Sequence, residues 1–463
     1  MNANAAPISF ERPFLADEYR RSEARVEIRG GFYQVAVGAL VVLAVAYNGL
    51  LAMMGAHGAG ISMGMVMIVE ALILAIALVL VARVPFGPDD APSIALLLSF
   101  LFITLYISAM KETFYPDSMR NIAIIGLFTM LGVRASFQTV NRTFLVSAVI
   151  VLAGLILEMI STPAYVSMFQ PAQYFLKTRG LAIPEWDTSG LFTNALGFEE
   201  RFSFGITDHR TSSIFLEQVS NSNFAAVLNI YLLSVWKRLK VWHRVFFIFT
   251  AVLIVTTAST RTSLVLALLA PAGYFIYPHL TRFLNIALAP LFITIAWVVG
   301  DHTLTKLMDD DFVGRLSWTI SALYQVDWDA AVGLRTEHAP WLLDSGYTWI
   351  IYTCTIFGLF ILWTFMACYV PQKTVSQRRF GYAASLFCAS SLLVAGQALF
   401  SIKIAALLWF LAGFMRAQKE EWKAPPPPDS AEAKALAEQE AIDIEAQKDA
   451  PAQPQVIRLL RTR

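Results

Sequence analysis

A stripe of polar residues at helical spacing runs through one apolar segment of the chain. In 213-SIFLEQVSNSNFAAVLNIYLLSVW-236, Glu217 and Asn221 follow Ser213 at intervals of four, and Arg210 precedes it by three. That spacing predicts four side chains on one helical face. Because an ionisable group costs about 2.5–3.5 kcal/mol on membrane-insertion scales, the stripe indicates a bundle interior or a water-filled cavity. The alternative is a structural Glu–Arg pair with packing amides.

A second candidate is Arg261, in the tight connection 256-TTASTRTS-263. Such a short hairpin predicts a guanidinium at the membrane surface, where phosphates lie. A planar guanidinium binds phosphate through two parallel hydrogen bonds. The alternative is an arginine that only reaches up to the interface.

The third cluster is the segment 335-RTEHAPWLLD-344, which places Arg335, Glu337, His338 and Asp344 within ten residues. His338 is the natural proton acceptor there, because the unperturbed pKa of histidine lies near neutrality. Lys403, just before the last apolar segment, is a further candidate cation. The alternative is a lysine at a helix end that only snorkels to the membrane interface.

These residue types fit transfer of a sugar from a lipid diphosphate. Arginines would neutralise the charge that develops on the departing diphosphate, and a base would remove the proton of an acceptor hydroxyl. The scheme requires Arg210, Arg261 and His338 to line one outward-opening chamber.

The elements that must position these residues are membrane helices. Hydrophobic residues make up 57% of the 463 positions and charged residues 15%, against about 25% in soluble domains. Runs such as 35–54 and 63–82 are long enough to cross a bilayer core of about 30 Å. An all-α, polytopic membrane fold with about twelve spans is predicted, at 32–54, 61–82, 92–110, 119–133, 143–161, 213–235, 245–258, 262–277, 283–300, 346–370, 382–399 and 403–415.

The lysine and arginine bias of the short loops predicts that both termini lie in the cytoplasm. A bacterial inner membrane is the expected location. Residues 1–31 are expected to form a cytoplasmic N-terminal segment, and residues 416–463 a cytoplasmic, disordered tail with a polyproline spacer. Two long segments, 162–212 and 301–345, fall on the periplasmic side. In the second, Phe312, Leu316, Ile320 and Leu323 predict an amphipathic helix on the membrane surface.

Several other classes of function are disfavoured. A net charge of +1 argues against a nucleic-acid partner. No Walker or dinucleotide motif is present, so no cofactor is expected. The run Asp309–Asp311 suits a helix start better than a metal site, since metals need more ligands at usable spacing.

The sequence resembles the bacterial O-antigen polymerase and O-antigen ligase superfamily over roughly residues 30–415. The likeness rests on Arg210 before SIFLEQVSNSNFAA, Arg261 in TTASTRTS, and the histidine segment leading into DSGYTWIIYTCTIFGLF. It implies that Arg210 and Arg261 bind undecaprenyl diphosphate, with Arg335, Lys403 and Asn221 as further substrate-binding candidates. It also implies that His338 activates the acceptor in a metal-independent, inverting transfer.

Within that superfamily the DSGY stretch and the IFLEQVSNSN span are more similar to exopolysaccharide polymerases than to ligases. Ligases usually have asparagine after the histidine, where this chain has Ala339; Asp344, Glu337 and Glu217 therefore stay open as alternative catalytic groups. The rivals are an O-antigen ligase, a flippase or secondary transporter, and an oligosaccharyltransferase-like enzyme. The expected partners are a lipid-linked oligosaccharide and membrane lipid; a chain-length regulator and a flippase are further candidates.

Overall fold

Helices make up nearly all of the computed structural model, which describes residues 31–196, 204–300, 312–394 and 399–420. Within these ranges there is no strand, and each of the twelve predicted spans coincides with a helix. We number the helices in chain order. They are α1 Gly31–Ala56, α2 Met63–Ala82, α3 Ala91–Met110, α4 Asp117–Val133, α5 Phe137–Ile160, α6 Thr162–Phe169, α7 Pro171–Arg179, α8 Gln218–Val235, α9 Val241–Ala258, α10 Arg261–Ile276, α11 Arg282–Val299, α12 Phe312–Tyr324, α13 Trp328–Ala331, α14 Gly346–Cys368, α15 Val375–Val394 and α16 Ile402–Ala417.

Seven of these helices, α1, α2, α3, α5, α9, α11 and α14, are long and apolar enough to cross a membrane. Large apolar side chains are exposed along them, including Phe102 and Ile68, as expected for helices that face hydrocarbon. The protein is therefore an all-helical, membrane-embedded protein. The other helices at predicted spans, α4, α8, α10, α15 and α16, are shorter or more polar.

The core is centred on α16, whose residues from Ile402 to Met415 are all buried. It packs against α1, α4, α5, α8 and α15. Its approach to α4 is the closest in the fold: a Cβ built on Gly132 would lie 2.0 Å from the Phe410 carbonyl oxygen, and one on Gly413 would lie 1.9 Å from that of Thr129. Two glycines therefore bring the α4 and α16 backbones into direct contact, which fixes Lys403 at the start of α16.

The predicted amphipathic helix exists as α12, but its predicted environment is wrong. Leu316 and Ile320 are buried, and the Thr319 hydroxyl donates to the Leu393 carbonyl oxygen at 2.7 Å. The helix packs on α11, α14 and α15. Leu316 and Ile320 of the apolar stripe are therefore covered by protein rather than by lipid.

Some predicted features lie outside the described residues. These are the arginines of the N-terminal segment, the run Asp309–Asp311, and the tail from residue 421 onward.

Candidate functional site

The sequence predicts that the polar stripe at 210–221 lies on one helix, and this prediction is wrong. Helix α8 begins at Gln218, and Ser213–Phe215 form a single 3₁₀ turn before it. Ser213 and Leu216 have φ angles of +50° and +62°. A left-handed backbone conformation cannot continue a right-handed helix and is costly for residues with a Cβ. The helix therefore does not extend toward the N-terminus beyond Gln218. Only Asn221 of the predicted stripe lies on α8, and the residues before it form a strained turn.

A buried carboxylate holds this turn in place. Glu158, near the end of α5, is fully buried and accepts hydrogen bonds from the backbone nitrogens of Ser212 and Ser213, at 2.9 and 2.7 Å. The Tyr165 hydroxyl donates to the Ser213 carbonyl oxygen at 2.6 Å. Bonds from two successive N–H groups to one carboxylate compensate its burial. The contacts of Glu158 are those of a residue that shapes the turn.

His209 joins the same network from the other side. Its Nε2 lies 3.3 Å from Glu158 Oε1, and its Nδ1 lies 2.7 Å from Asp208 Oδ1. Burial by itself would lower the pKa of His209, but the contacts with Glu158 and Asp208 outweigh burial and raise that pKa. The hydrogen bond from His209 in turn lowers the pKa of Asp208. The imidazole therefore favours its charged form, directly next to Arg210.

Arg210 is buried and held by oxygen atoms on both sides. Its Nε donates to the Ala258 carbonyl oxygen at 3.1 Å, and its Nη1 to that of Asn194 at 3.4 Å. Its Nη2 donates to Thr260 Oγ1 at 3.1 Å. These contacts fix the guanidinium against the connection between α9 and α10.

That connection also carries Arg261, the first residue of α10, whose side chain is exposed. Ser259 turns the chain with a φ of +48°. Thr260 Oγ1 accepts from Ser222 Oγ of α8 at 2.7 Å, in addition to the bond from Arg210. The hydroxyl of Thr260, the residue before Arg261, thus connects α8 to the buried Arg210.

Glu217 lies immediately before α8 and is paired with Lys403. Lys403 Nζ donates to Glu217 Oε2 at 3.1 Å, and Ser220 Oγ donates to the same oxygen at 3.0 Å. Arg179 Nη2, from the end of α7, lies 3.9 Å away. Lys403 is 3% exposed at its side chain and Glu217 22%. A buried ammonium is thereby neutralised at the first turn of α8, and the carboxylate, held in its charged form, is a weak base.

Two amide side chains point into this region. Asn221 Nδ2 donates to the Thr211 carbonyl oxygen at 3.3 Å, and Gln218 Nε2 to that of Asn194 at 2.9 Å. The amide oxygens of both are buried without a hydrogen-bond partner among the described residues. Each of these oxygens can accept a further hydrogen bond from a small donor such as an ordered water.

The histidine segment forms a separate group. His338 lies in the 3₁₀ helix Thr336–Leu342, with Nδ1 3.5 Å from Glu337 Oε1 and its ring edge-on to Tyr352. Lys111, at the end of α3, forms an ion pair with Glu337 and donates to Thr336 Oγ1 at 2.7 Å. The hydrogen bond from Lys111 lowers the pKa of Glu337. Lys111 therefore anchors the segment that presents the exposed imidazole.

The two remaining candidates of that segment differ in their surroundings. Arg335 Nη2 lies 2.6 Å from Asp327 Oδ2 and 3.6 Å from Asp329 Oδ2, in a local ion-pair group. Asp344 is exposed, just before α14. Arg335 is committed to acidic neighbours, whereas Asp344 faces outward.

The structure brings Arg210, the residue preceding Arg261, Asn221, Glu217 and Lys403 together around the start of α8. Among the described residues, no hydrogen bond or ion pair joins His338, Asp344 or Arg335 to that group. Sequence reasoning overlooked Lys111, Arg179 and Gln218. A lysine at a helix end was the only sequence signal for Lys111. The described residues contain no group of three or more His, Cys, Asp or Glu side chains placed to hold a metal ion.

Comparison with family models, with curated proteins and with solved structures gave no match.

Proposed function

We propose that the protein polymerises a bacterial surface polysaccharide or exopolysaccharide at the periplasmic face of the inner membrane. It would transfer a glycan from undecaprenyl diphosphate to an acceptor hydroxyl of another lipid-linked repeat unit. The observation that carries this proposal is that cations from distant parts of the chain come together around the start of α8. Lys403 pairs with Glu217, Arg210 shares the Thr260 hydroxyl with Ser222 of α8, and Arg261 directly follows Thr260.

The proposal includes a twelve-span topology with both termini in the cytoplasm and long periplasmic segments at 162–212 and 301–345. In such an alternating arrangement, α3 ends at the same membrane face at which α8, α10, α14 and α16 begin. Lys111, Arg210, Arg261 and His338 would then all lie at one face. The donor's lipid chain would stay in the bilayer and its diphosphate would meet the basic group at that face.

In the reaction, the bond between the donor sugar's anomeric carbon and the diphosphate oxygen breaks, and a bond from the acceptor oxygen to that carbon forms. Undecaprenyl diphosphate leaves with the electron pair, and the acceptor proton passes to a base. Arg261 is exposed at the start of a helix, so its guanidinium and the helix dipole both favour a phosphate there. Arg210, held rigidly beside it, would stabilise the charge that develops on the leaving group.

His338 is the best candidate for the base, since it is exposed and its segment is anchored by Lys111. Asp344 is the second candidate, because its carboxylate is also exposed. Glu217 is less suited, since its pairing with Lys403 weakens it as a base. The substrate would bridge the His338 segment and the Arg210 group, with the acceptor hydroxyl on the first and the diphosphate on the second.

The proposal is tested with purified protein and lipid-linked repeat units as the sole substrate, with EDTA present and no nucleotide. Polymer longer than one unit is expected from the unaltered protein. Arg210→Ala, Arg261→Ala and His338→Ala should leave single units, while Arg142→Ala, an exposed arginine near the start of α5, should polymerise normally. Arg261→Lys should rescue poorly, since an ammonium lacks the two-pronged geometry.

Normal chain length with Arg261→Ala would overturn the proposal. An O-antigen ligase would extend only a lipid A core acceptor in the same vessel, and a transporter would form no product at all.

A further inference from the structure

A second group of charged side chains adjoins the site through the Glu217–Lys403 pair, and its two arginines have no role in the proposed transfer step. We call it the inner charge cluster; it consists of Glu70 of α2, Arg120 of α4, Arg179 of α7, Glu217 and Lys403. Arg120 Nη2 forms an ion pair with Glu70 Oε2, and Arg179 Nη2 lies 3.9 Å from Glu217 Oε2. Lys403 is within electrostatic range of both Glu70 and Arg179. The cluster is therefore continuous and joins elements that are distant in sequence.

The carboxylates of this cluster are covered and the guanidiniums face outward. The side chains of Glu70 and Glu217 are 11% and 22% exposed, whereas those of Arg120 and Arg179 are 43% and 40% exposed. Here the carboxylates lie behind the arginines and hold them, and three cations stand against two carboxylates.

Neighbouring side chains fix the two guanidiniums further. Arg120 Nη1 donates to Asn121 Oδ1 at 3.0 Å, and the Arg179 guanidinium stacks 4.8 Å from the centre of the Phe175 ring. An arginine has five N–H donors, so each retains donors for a ligand. Stacking and carboxylate pairing reduce the side-chain freedom that a ligand would otherwise have to remove.

Hydroxyl groups surround the same place. The Tyr47 hydroxyl donates to Glu70 Oε1 at 2.5 Å, and the Tyr174 hydroxyl donates to Asn48 Oδ1 at 2.6 Å. Tyr174 is within electrostatic range of both Glu70 and Arg179. Tyr174 lies on α7, the helix that ends at Arg179, and α7 packs on α1 and α2.

The depth of the cluster suits the headgroup of a lipid. Glu70 is the eighth residue of α2, about 10 Å along that helix at 1.5 Å per residue, and Arg120 is the fourth residue of α4. Inserting an ionisable group at such a position in an apolar helix is costly, so these groups more often belong to a ligand-binding path than to a contact that only stabilises the fold.

We propose that Arg120 and Arg179 form a second anion-binding site, which takes the phosphate or diphosphate of a second polyprenyl-linked sugar. This inference rests on the proposed function and assigns the site to the acceptor unit. Arg261 would hold the donor diphosphate, and Lys403 with Glu217 would separate the two anions. A polymerase needs both lipid-linked units at once, and two anion sites side by side would supply that.

The test counts bound ligands. The full protein in phosphatidylcholine nanodiscs is titrated with undecaprenyl diphosphate and examined by native mass spectrometry. Two bound molecules are expected for the unaltered protein and for Arg83→Gln, an exposed arginine at the far end of α2 from Glu70. One is expected for Arg120→Gln/Arg179→Gln, one for Arg261→Gln, and none for the three changes combined.

Removing both arginines leaves Glu70 without its ion-pair partner and Glu217 with Lys403 alone, so a charge-preserving variant is needed as well. Arg120→Lys/Arg179→Lys keeps both ion pairs and should weaken the second binding event by about tenfold through loss of bidentate contact. Two bound molecules at unchanged affinity in both double variants would overturn the inference.

A phospholipid headgroup also carries a phosphate and could occupy the same site. Competition distinguishes this ligand from undecaprenyl diphosphate. If a tenfold excess of phosphatidylglycerol removes the second undecaprenyl diphosphate, the site belongs to membrane phospholipid and the inference fails. Failure of the proposed function would show differently: polymer would be absent with lipid-linked sugars although two ligands bind.

Discussion

Lys403 Nζ and Glu217 Oε2 lie 3.1 Å apart, although 186 positions separate the two residues in the chain. This pair joins the first turn of α8 to the first turn of α16. The lysine is almost fully covered and the glutamate is partly exposed and has other partners, Ser220 and Arg179. The two residues therefore depend on the pair to different degrees.

That asymmetry predicts unequal effects on stability. Glu217→Gln leaves a buried ammonium without its counter-ion and should lower the free energy of unfolding by about 3 kcal/mol. Lys403→Met should cost less, because Glu217 keeps Ser220, Arg179 and some solvent. The double variant should be more stable than Glu217→Gln alone. Thermal unfolding in one detergent measures all three, and additive losses would contradict the pairing.

The hydroxyl of Thr260 is predicted to set the position of Arg210. Thr260→Val keeps the side-chain shape but removes the acceptor for Arg210 and Ser222, and should reduce the polymerisation rate by about tenfold, as for loss of a hydrogen bond to a charged group. Thr260→Ser should behave like the unaltered protein. Equal rates for the valine and serine variants would show that the hydroxyl has no such role.

Stability should depend on pH through His209. Because the pKa of His209 is raised in the folded protein, its contribution is complete below the ordinary histidine pKa, about 6.5, and is lost as the pH rises through the raised value. The unfolding temperature should therefore fall over that interval, and His209→Gln should flatten the fall. Asp208, whose pKa is lowered, contributes the opposite way, with stability lost as the pH falls through its lowered value. An unchanged slope in His209→Gln would contradict this assignment.

The ion pair of Lys111 with Glu337 is predicted to matter for rate more than for stability. Glu337 is 56% exposed, so the pair is worth roughly 0.2–1 kcal/mol. Lys111→Met should thus hardly change the unfolding temperature, yet it releases the segment that carries His338 and should slow polymerisation severalfold. Lys111→Arg preserves the charge and serves as the control. A slower variant that also unfolds at a much lower temperature would indicate a merely structural role.

The glycine contact between α4 and α16 gives a further prediction. Gly413→Ala places a methyl group where the Thr129 carbonyl oxygen lies and should destabilise the protein by about 3 kcal/mol or more. Gly64→Ala is the matched control, since its Cβ would meet only Ser62 Oγ at 3.8 Å. That change should be neutral or slightly stabilising, because alanine favours helix over glycine by about 1 kcal/mol.

Hydrophobic run length predicted where the helices lie, because each run must hydrogen-bond its own backbone in an apolar setting. It did not predict where α8 begins. The spacing of Arg210, Ser213 and Glu217 fits a helix, but Leu216 adopts a left-handed backbone conformation. Leucine has no property from which this conformation could be predicted. The turn exists because Glu158 binds two backbone N–H groups from 54 and 55 positions away.

The partners of the candidate residues were equally out of reach. Lys111 and Glu337 are 226 positions apart, and nothing in either local segment points to the other. Charge type at a helix end is visible in sequence, whereas pairing depends on how helices pack. The residues with local signals, Arg261 and His338, could therefore be predicted as candidates from the sequence, whereas Arg179 and Lys111, which depend on a distant partner, could not.

The burial of α16 also has a consequence for biosynthesis. Residues 402–417 leave the ribosome after every other described helix, yet they fill the centre of the bundle. Until they arrive, the glycine face of α4 has no neighbour and Glu217 has no lysine beside it. Because α16 supplies Lys403 and the partner face of α4, the packing around the start of α8 can be completed only after this helix has been synthesised and inserted.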